Sequence, residues 1–147
     1  MLKLQEIDMA MLITAMENHD FDFSWWFDPT TGQVEMVGGA VDESLSEEEL
    51  EERGAVPVET RDSRRGYQDM ADFIETVQDE HARTALLHAI ERSRPFRRFK
   101  DALYEFPQIQ DSWHAFHERR TRHFAIRWLE AEGFISSEEA QRELDEP

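Results

Sequence analysis

The stretch FDFSWWFDPTTGQVEMVGG, residues 21–39, decides the fold. Phe21, Phe23, Trp25 and Phe27 alternate with Asp22, Ser24, Trp26 and Asp28, and beyond the turn Val34, Met36 and Gly38 alternate with Gln33, Glu35 and Val37. A period of two places successive side chains on opposite faces, so both halves read as β-strands. Between them Asp28-Pro29-Thr30-Thr31-Gly32 is a turn. Pro29 fixes φ and Gly32 supplies positive φ, which a hairpin loop of four or five residues needs.

Outward from the hairpin the pattern is helical. Leu4, Ile7, Met11, Leu12, Ile13 and Met16 predict an amphipathic helix over 5–18, ended by Asn18, His19 and Asp20. DESLSEEELEERG, residues 42–54, reads as a short acidic helix capped by Ser44 or Ser46 and serving as a solvated connector. Ala55, Val56, Val58 and Thr60 predict a third strand, which Pro57 confines to a sheet edge. Tyr67, Met70, Phe73, Ile74 and Val77 mark one helix, and Ala82, Ala85, Leu86, Ala89 and Ile90 mark another. Pro95 starts and Pro107 closes a third, with Phe96, Phe99, Leu103 and Phe106 as its apolar stripe. A longer helix follows from about Asp111 to Glu132, stopped by Gly133. Ser136-Ser137-Glu138-Glu139 is a capping box for a short last helix, with Phe134 and Ile135 as its hydrophobic staple. The expected fold is a single α+β domain over 1–147, with an N-terminal helix, a small antiparallel sheet built on the hairpin, and a helical C-terminal half. Residues 1–62 form the sheet part and 63–147 the helical part.

Composition narrows the function. The chain has no cysteine, which excludes disulfides and thiolate metal sites and fits a reducing, cytoplasmic setting. The longest apolar run, Met9 to Ile13, falls far short of the ~20 residues of a membrane span. The first residues carry Glu6 and Asp8 and lack the features of a signal peptide, so a soluble protein with no membrane partner is expected. No Gly-rich phosphate loop and no nucleophile elbow occurs, and no cofactor is expected.

Charge is unevenly placed. Residues 1–91 hold 6 Lys/Arg against 22 Asp/Glu, residues 92–127 hold 9 against 4, and residues 128–147 hold 1 against 7, in a chain of net charge −17. The basic island begins with RSRPFRRFK. Arg97, Arg98 and Lys100 lie off the Phe96/Phe99/Leu103 stripe, and Arg119, Arg120 and Arg122 lie on the following helix. Guanidiniums on neighbouring helices bind carboxylates or phosphates, whether the domain's own or a partner's. The leading expectation is therefore a non-enzymatic binding module using Arg97, Arg98, Lys100, Arg119, Arg120 and Arg122 for an anionic macromolecule. An acidic protein is favoured slightly over nucleic acid, because the flanking acidic surface opposes generic DNA association.

Two alternatives come from other classes. Asp22 and Asp28 at the hairpin with His114 and His117 would serve a metal- or small-molecule-dependent enzyme if they converged, although their spacing matches no metal-site pattern and no metal is expected. The acidic N-terminal part alone would suit an inhibitor or antitoxin-like protein that mimics nucleic acid. Trp25 and Trp26, adjacent on a strand, point to opposite faces, and either is an aromatic contact if left uncovered.

The residues PFRRFKDALYEFP, then Trp113-His114-Ala115-Phe116 and Arg127-Trp128-Leu129, resemble the signature of the uncharacterised bacterial protein family UPF0158. The resemblance rests on Phe96, Arg97, Arg98, Phe99, Lys100 and Asp101, on Trp113 and Phe116, on Trp128 and Leu129, and on Asp28, Thr31, Gly32 and Val34. It spans roughly residues 20 to 130, with Arg94-Pro95 standing where small residues are usual. It implies an α+β fold and a bacterial cytosolic setting, and no activity, catalytic residue or cofactor.

Overall fold

The structure, a computed structural model, describes residues 1–18, 23–38 and 46–145. His19, Asp20, Phe21, Asp22 and Ser44 lie outside the described residues. The chain forms two compact units, Met1–Thr60 with Thr121–Pro147, and Arg61–Arg120.

The first unit holds a 3-10 turn at Leu4–Glu6, α1 (Met9–Met16), β1 (Phe23–Asp28), β2 (Gln33–Gly38), α2 (Glu47–Glu52) and β3 (Val56–Pro57). To these it adds the second part of α6 (Pro107–Ala131) and α7 (Ser137–Asp145). The antiparallel sheet has the order β2-β1-β3, with Phe27 opposite Val34 on one side and Val56 on the other. The hairpin forms as expected, through a four-residue loop. Thr30 donates its N–H to Asp28 Oδ1 at 2.9 Å, Gly32 donates to the Asp28 carbonyl at 2.8 Å, and Gly32 has φ +75°. A Cβ on Gly32 would stand 2.1 Å from the Glu6 carbonyl oxygen, so the turn lies directly on the N-terminal segment.

That contact explains a departure from the expected helix over 5–18. The Asp8 N–H donates to the Gly32 carbonyl at 2.9 Å, and its carboxylate accepts from the Met11 N–H at 3.2 Å. A residue bonded outward and capping forward ends one helix and starts another, so the segment is a 3-10 turn followed by α1. Ser46, one of the two expected caps, accepts from the Glu49 N–H at 3.2 Å and starts α2.

Alternation along β1 divides its side chains as predicted. Phe27 is fully buried against Trp128 and Phe134, at ring separations of 6.2 and 5.0 Å, among Leu12, Met16, Ile126, Leu129 and Ile135. Trp26 faces the other way, into a small cluster with Leu50 and Ala55. Gly133 (φ +81°) stops α6, and Ser136 caps α7. Glu139 Oε1 accepts from the Leu4 N–H at 3.1 Å, fastening α7 to the N-terminal segment.

The second unit holds α3 (Ser63–Thr76), α4 (Glu80–Ile90), α5 (Pro95–Tyr104) and the first part of α6. Asp62 and Asp79 cap α3 and α4 through their carboxylates. Its core is Met70, Phe73, Ile74, Leu86, Ile90, Phe99 and Leu103. The Trp113 ring stands edge-on to Phe99 at 4.8 Å and to Phe73 at 5.4 Å. Two details correct the sequence reading. The last long helix begins at Pro107 rather than near Asp111, because a proline suits the first helical position, where no intrahelical N–H partner is needed. Of the expected stripe, Phe99 and Leu103 are core, Phe106 is buried in the turn after α5 against the His81 ring, and Phe96 is 44% exposed.

Candidate functional site

The basic segment opens on an unusual backbone. Arg94 is the only non-glycine residue of positive φ (φ 55°, ψ 56°) among the described residues, and it precedes Pro95, which itself disfavours helical geometry one residue earlier. Among the described residues no side chain caps α5. Arg98 donates from Nε to the Ser93 carbonyl at 2.7 Å, which holds its guanidinium back over the turn. Arg94, Arg97, Arg98 and Asp101 line a cleft of about 230 Å³. Arg98 and Asp101 also border a second cleft with His88, Arg92 and Glu105. Arg94, Arg97 and Lys100 are exposed and form no ion pair among the described residues.

The three predicted cations of α6 differ from one another. Arg119 is exposed without an ion pair among the described residues. Arg122, in the first unit, meets Glu143 at 3.3 Å. Arg120 belongs to a buried network that the sequence reading passed over, centred on Asp69 of α3, which is 1% exposed. Arg61 grips this carboxylate with both ends of its guanidinium, Nη1 to Oδ2 at 2.8 Å and Nη2 to Oδ1 at 3.1 Å. Arg120 donates Nε to Oδ1 at 3.1 Å, donates Nη2 to Asp72, and lies over the Phe116 ring at 5.2 Å. His117, stacked on Trp113, brings Nδ1 to 3.4 Å from Oδ2. Burial alone would raise the Asp69 pKa, but His117 and Arg61, with Arg120 behind them, outweigh it and hold the group at about 2. Burial likewise lowers Arg120, and its two carboxylate partners more than offset it, so its pKa ends above the ordinary value. A signal existed in the sequence: Asp69 falls within the apolar stripe of its helix, four residues before Phe73, where a carboxylate must find cations.

The remaining predicted groups are placed as follows. Trp26 is buried, with its Nε1 donating to Ser24 Oγ at 3.1 Å. Trp25 is half-buried, packed on the main core of the first unit, and its buried Nε1 meets no hydrogen-bond partner among the described residues. Asp28 is fully buried and accepts from Thr30 and from Arg53 Nη1 at 3.0 Å. Burial pushes its pKa up, and the Thr30 and Arg53 hydrogen bonds bring it below the usual carboxylate value. That carboxylate is a turn constituent. His114 is exposed, and His117 is committed to the Asp69 network.

A family model described as "Uncharacterised protein family (UPF0158)" matches residues 5–147. The chain belongs to the UPF0158 family. The match runs beyond the 20–130 span of the signature, so the N-terminal segment and α7 are part of what UPF0158 members share with this chain. A curated relative, "UPF0158 protein PA5073" of Pseudomonas aeruginosa, is 36% identical over 61 residues, covering 42% of this UPF0158 chain and 40% of that protein's length. No solved structure matches. Among the described residues no helix is long and apolar enough to cross a membrane, and no three His, Asp or Glu side chains gather to hold a metal ion.

Proposed function

We propose that this UPF0158 chain is a non-enzymatic binding module whose α5 surface takes an anionic partner. The observation that carries the reading is a mismatch of supply and use. The chain holds 33 acidic residues against 16 Lys/Arg, yet Arg94, Arg97 and Lys100 stay exposed without a carboxylate among the described residues. Where the protein needs cations for its own architecture it uses others: Arg61 and Arg120 on Asp69, Arg53 on Asp28, and Arg122 on Glu143. The working surface is thus narrower than the six predicted cations. Arg97, Arg98 and Lys100 carry it with Arg94, while Arg120 has a structural share.

The unit that bears α5 is also electrically distinct. Arg61–Arg120 contains 11 Lys/Arg and 11 Asp/Glu, so the entire −17 belongs to the other unit. Retention on immobilised heparin at low salt tests the proposal. The wild type binds and elutes with salt, and the double reversal Arg97→Glu/Lys100→Glu flows through with an unchanged thermal midpoint. Wild-type protein in the flow-through, or equal retention of the variant, overturns it.

A further inference from the structure

The outer face of α5 carries rings as well as charge. Phe96, Lys100 and Tyr104 follow one another at four-residue steps down one side of the helix, with Arg97 beside them. Phe96 is 44% exposed and Tyr104 78%. Neither is buried core: α5 buries Phe99 and Leu103, while Phe96, at the N-terminal end of that stripe, and Tyr104, off it, keep their rings in water. Phe96 is also seated: Gly66 of α3 leaves a space where a Cβ would stand 3.0 Å from Phe96 Cε1. One edge of the ring rests against α3 while much of it remains in water. A ring held this way loses little further freedom when something stacks on it.

We propose that this face binds single-stranded nucleic acid, with bases stacking on Phe96 and Tyr104 and phosphates contacting Arg94, Arg97 and Lys100. The inference rests on the anion-binding role proposed for α5 and adds the class of partner. An acidic peptide would neutralise the cations and leave both rings in water. A duplex keeps its base faces inside the stack. A single strand offers phosphates and open π-faces together, which is the combination that interleaved cations and rings recognise. Eight residues of helix separate the rings by about 12 Å, too far to clamp one base, so each ring takes its own base along the strand. Glu91 precedes the cationic run and Asp101 and Glu105 follow it, which confines phosphate contact to the segment from Arg94 to Lys100.

The test is fluorescence anisotropy of the full chain with a labelled mixed-sequence DNA strand about 20 nucleotides long, which exceeds one binding site. An abasic strand of equal length and poly-L-glutamate run in parallel. The expected result is saturable binding to the base-bearing strand. Each of Phe96→Ala and Tyr104→Ala weakens it about tenfold, and three phosphate contacts give a slope of about −2 in log affinity against log salt. Equal affinity for the abasic strand, with the ring variants unaffected, overturns base stacking and leaves the anion-binding reading standing. Binding to polyglutamate but to neither strand overturns the nucleic-acid assignment in favour of an acidic protein. Binding to none of the three removes both. Circular dichroism checks each variant's fold, and Tyr104, being the more exposed, keeps the test decisive if Phe96→Ala loosens the helix.

Discussion

Replacing Asp69 with Asn tests whether the second unit is organised around one buried carboxylate. The change keeps the shape and removes the charge that Arg61 and Arg120 share, and Arg61 has only 7% of its side chain exposed. Its magnitude follows from the pKa. The folded value is about 2 and the ordinary one 3.8, a gap worth roughly 2 kcal/mol of folding free energy. Because the folded value is the lower one, this contribution is fully present above about pH 4 and is lost as pH falls from about 4 towards 2. Asp69→Ala costs more, about 3–5 kcal/mol, since it also leaves a cavity and strands a buried guanidinium. Urea unfolding at a series of pH values, with hydrogen exchange of the α3 amides to localise the effect, measures both. The gap between wild type and Asp69→Asn should be at least about 2 kcal/mol at pH 7 and should shrink by more than about 1 kcal/mol on acidification to pH 2.5. A variant within about 0.5 kcal/mol of wild type at pH 7, or a gap unchanged between pH 7 and pH 2.5, refutes the reasoning.

Other changes give separate tests. Gly32→Ala forces a Cβ to 2.1 Å from the Glu6 carbonyl at φ +75°, whereas Gly133→Ala has the same backbone problem in open space. Thermal melts should show Gly133→Ala losing about 1–2 kcal/mol and Gly32→Ala clearly more. Asp28→Ala removes the acceptor for Thr30 and Arg53 and should cost about 2–3 kcal/mol by urea unfolding, against at most about 1 kcal/mol for Arg53→Ala, whose side chain is 42% exposed. Phe99→Ala should cost about 3–5 kcal/mol, while Tyr104→Ala, next to the buried Leu103, should stay within about 0.5 kcal/mol, the contrast that separates core from surface on α5.

The hairpin was legible because every cue for it is local: the alternation through Trp25-Trp26-Phe27, the Asp28-Pro29 entry and Gly32 all lie within a dozen residues. The break at Asp8 was not. Leu4, Ile7 and Met11 continue a helical period across it, and what ends the helix is a hydrogen bond to Gly32, twenty-four residues away. The α5 cations were legible as an outward face, since helical spacing alone separates Arg97 and Lys100 from Phe99 and Leu103. Phe96 was read as core because its spacing fits the stripe, but in the first turn it rides over Gly66. Arg61 offered nothing to read. It stands before α3, outside any periodic element, and its role depends on a carboxylate two turns into the following helix.

Arg61 and Arg120 are the first and last residues of their unit, and both hold the same Asp69 carboxylate. The path through α3, α4, α5 and the start of α6 is therefore a ring closed by ions, in a chain without a cysteine to close it covalently. Such a clasp restricts the ends of a long loop as a crosslink would, at a closure cost that grows only with the logarithm of loop length. Unlike a disulfide it yields to protons and is indifferent to reductants, so the latch of this unit is set by the acidity of its surroundings and not by their redox state.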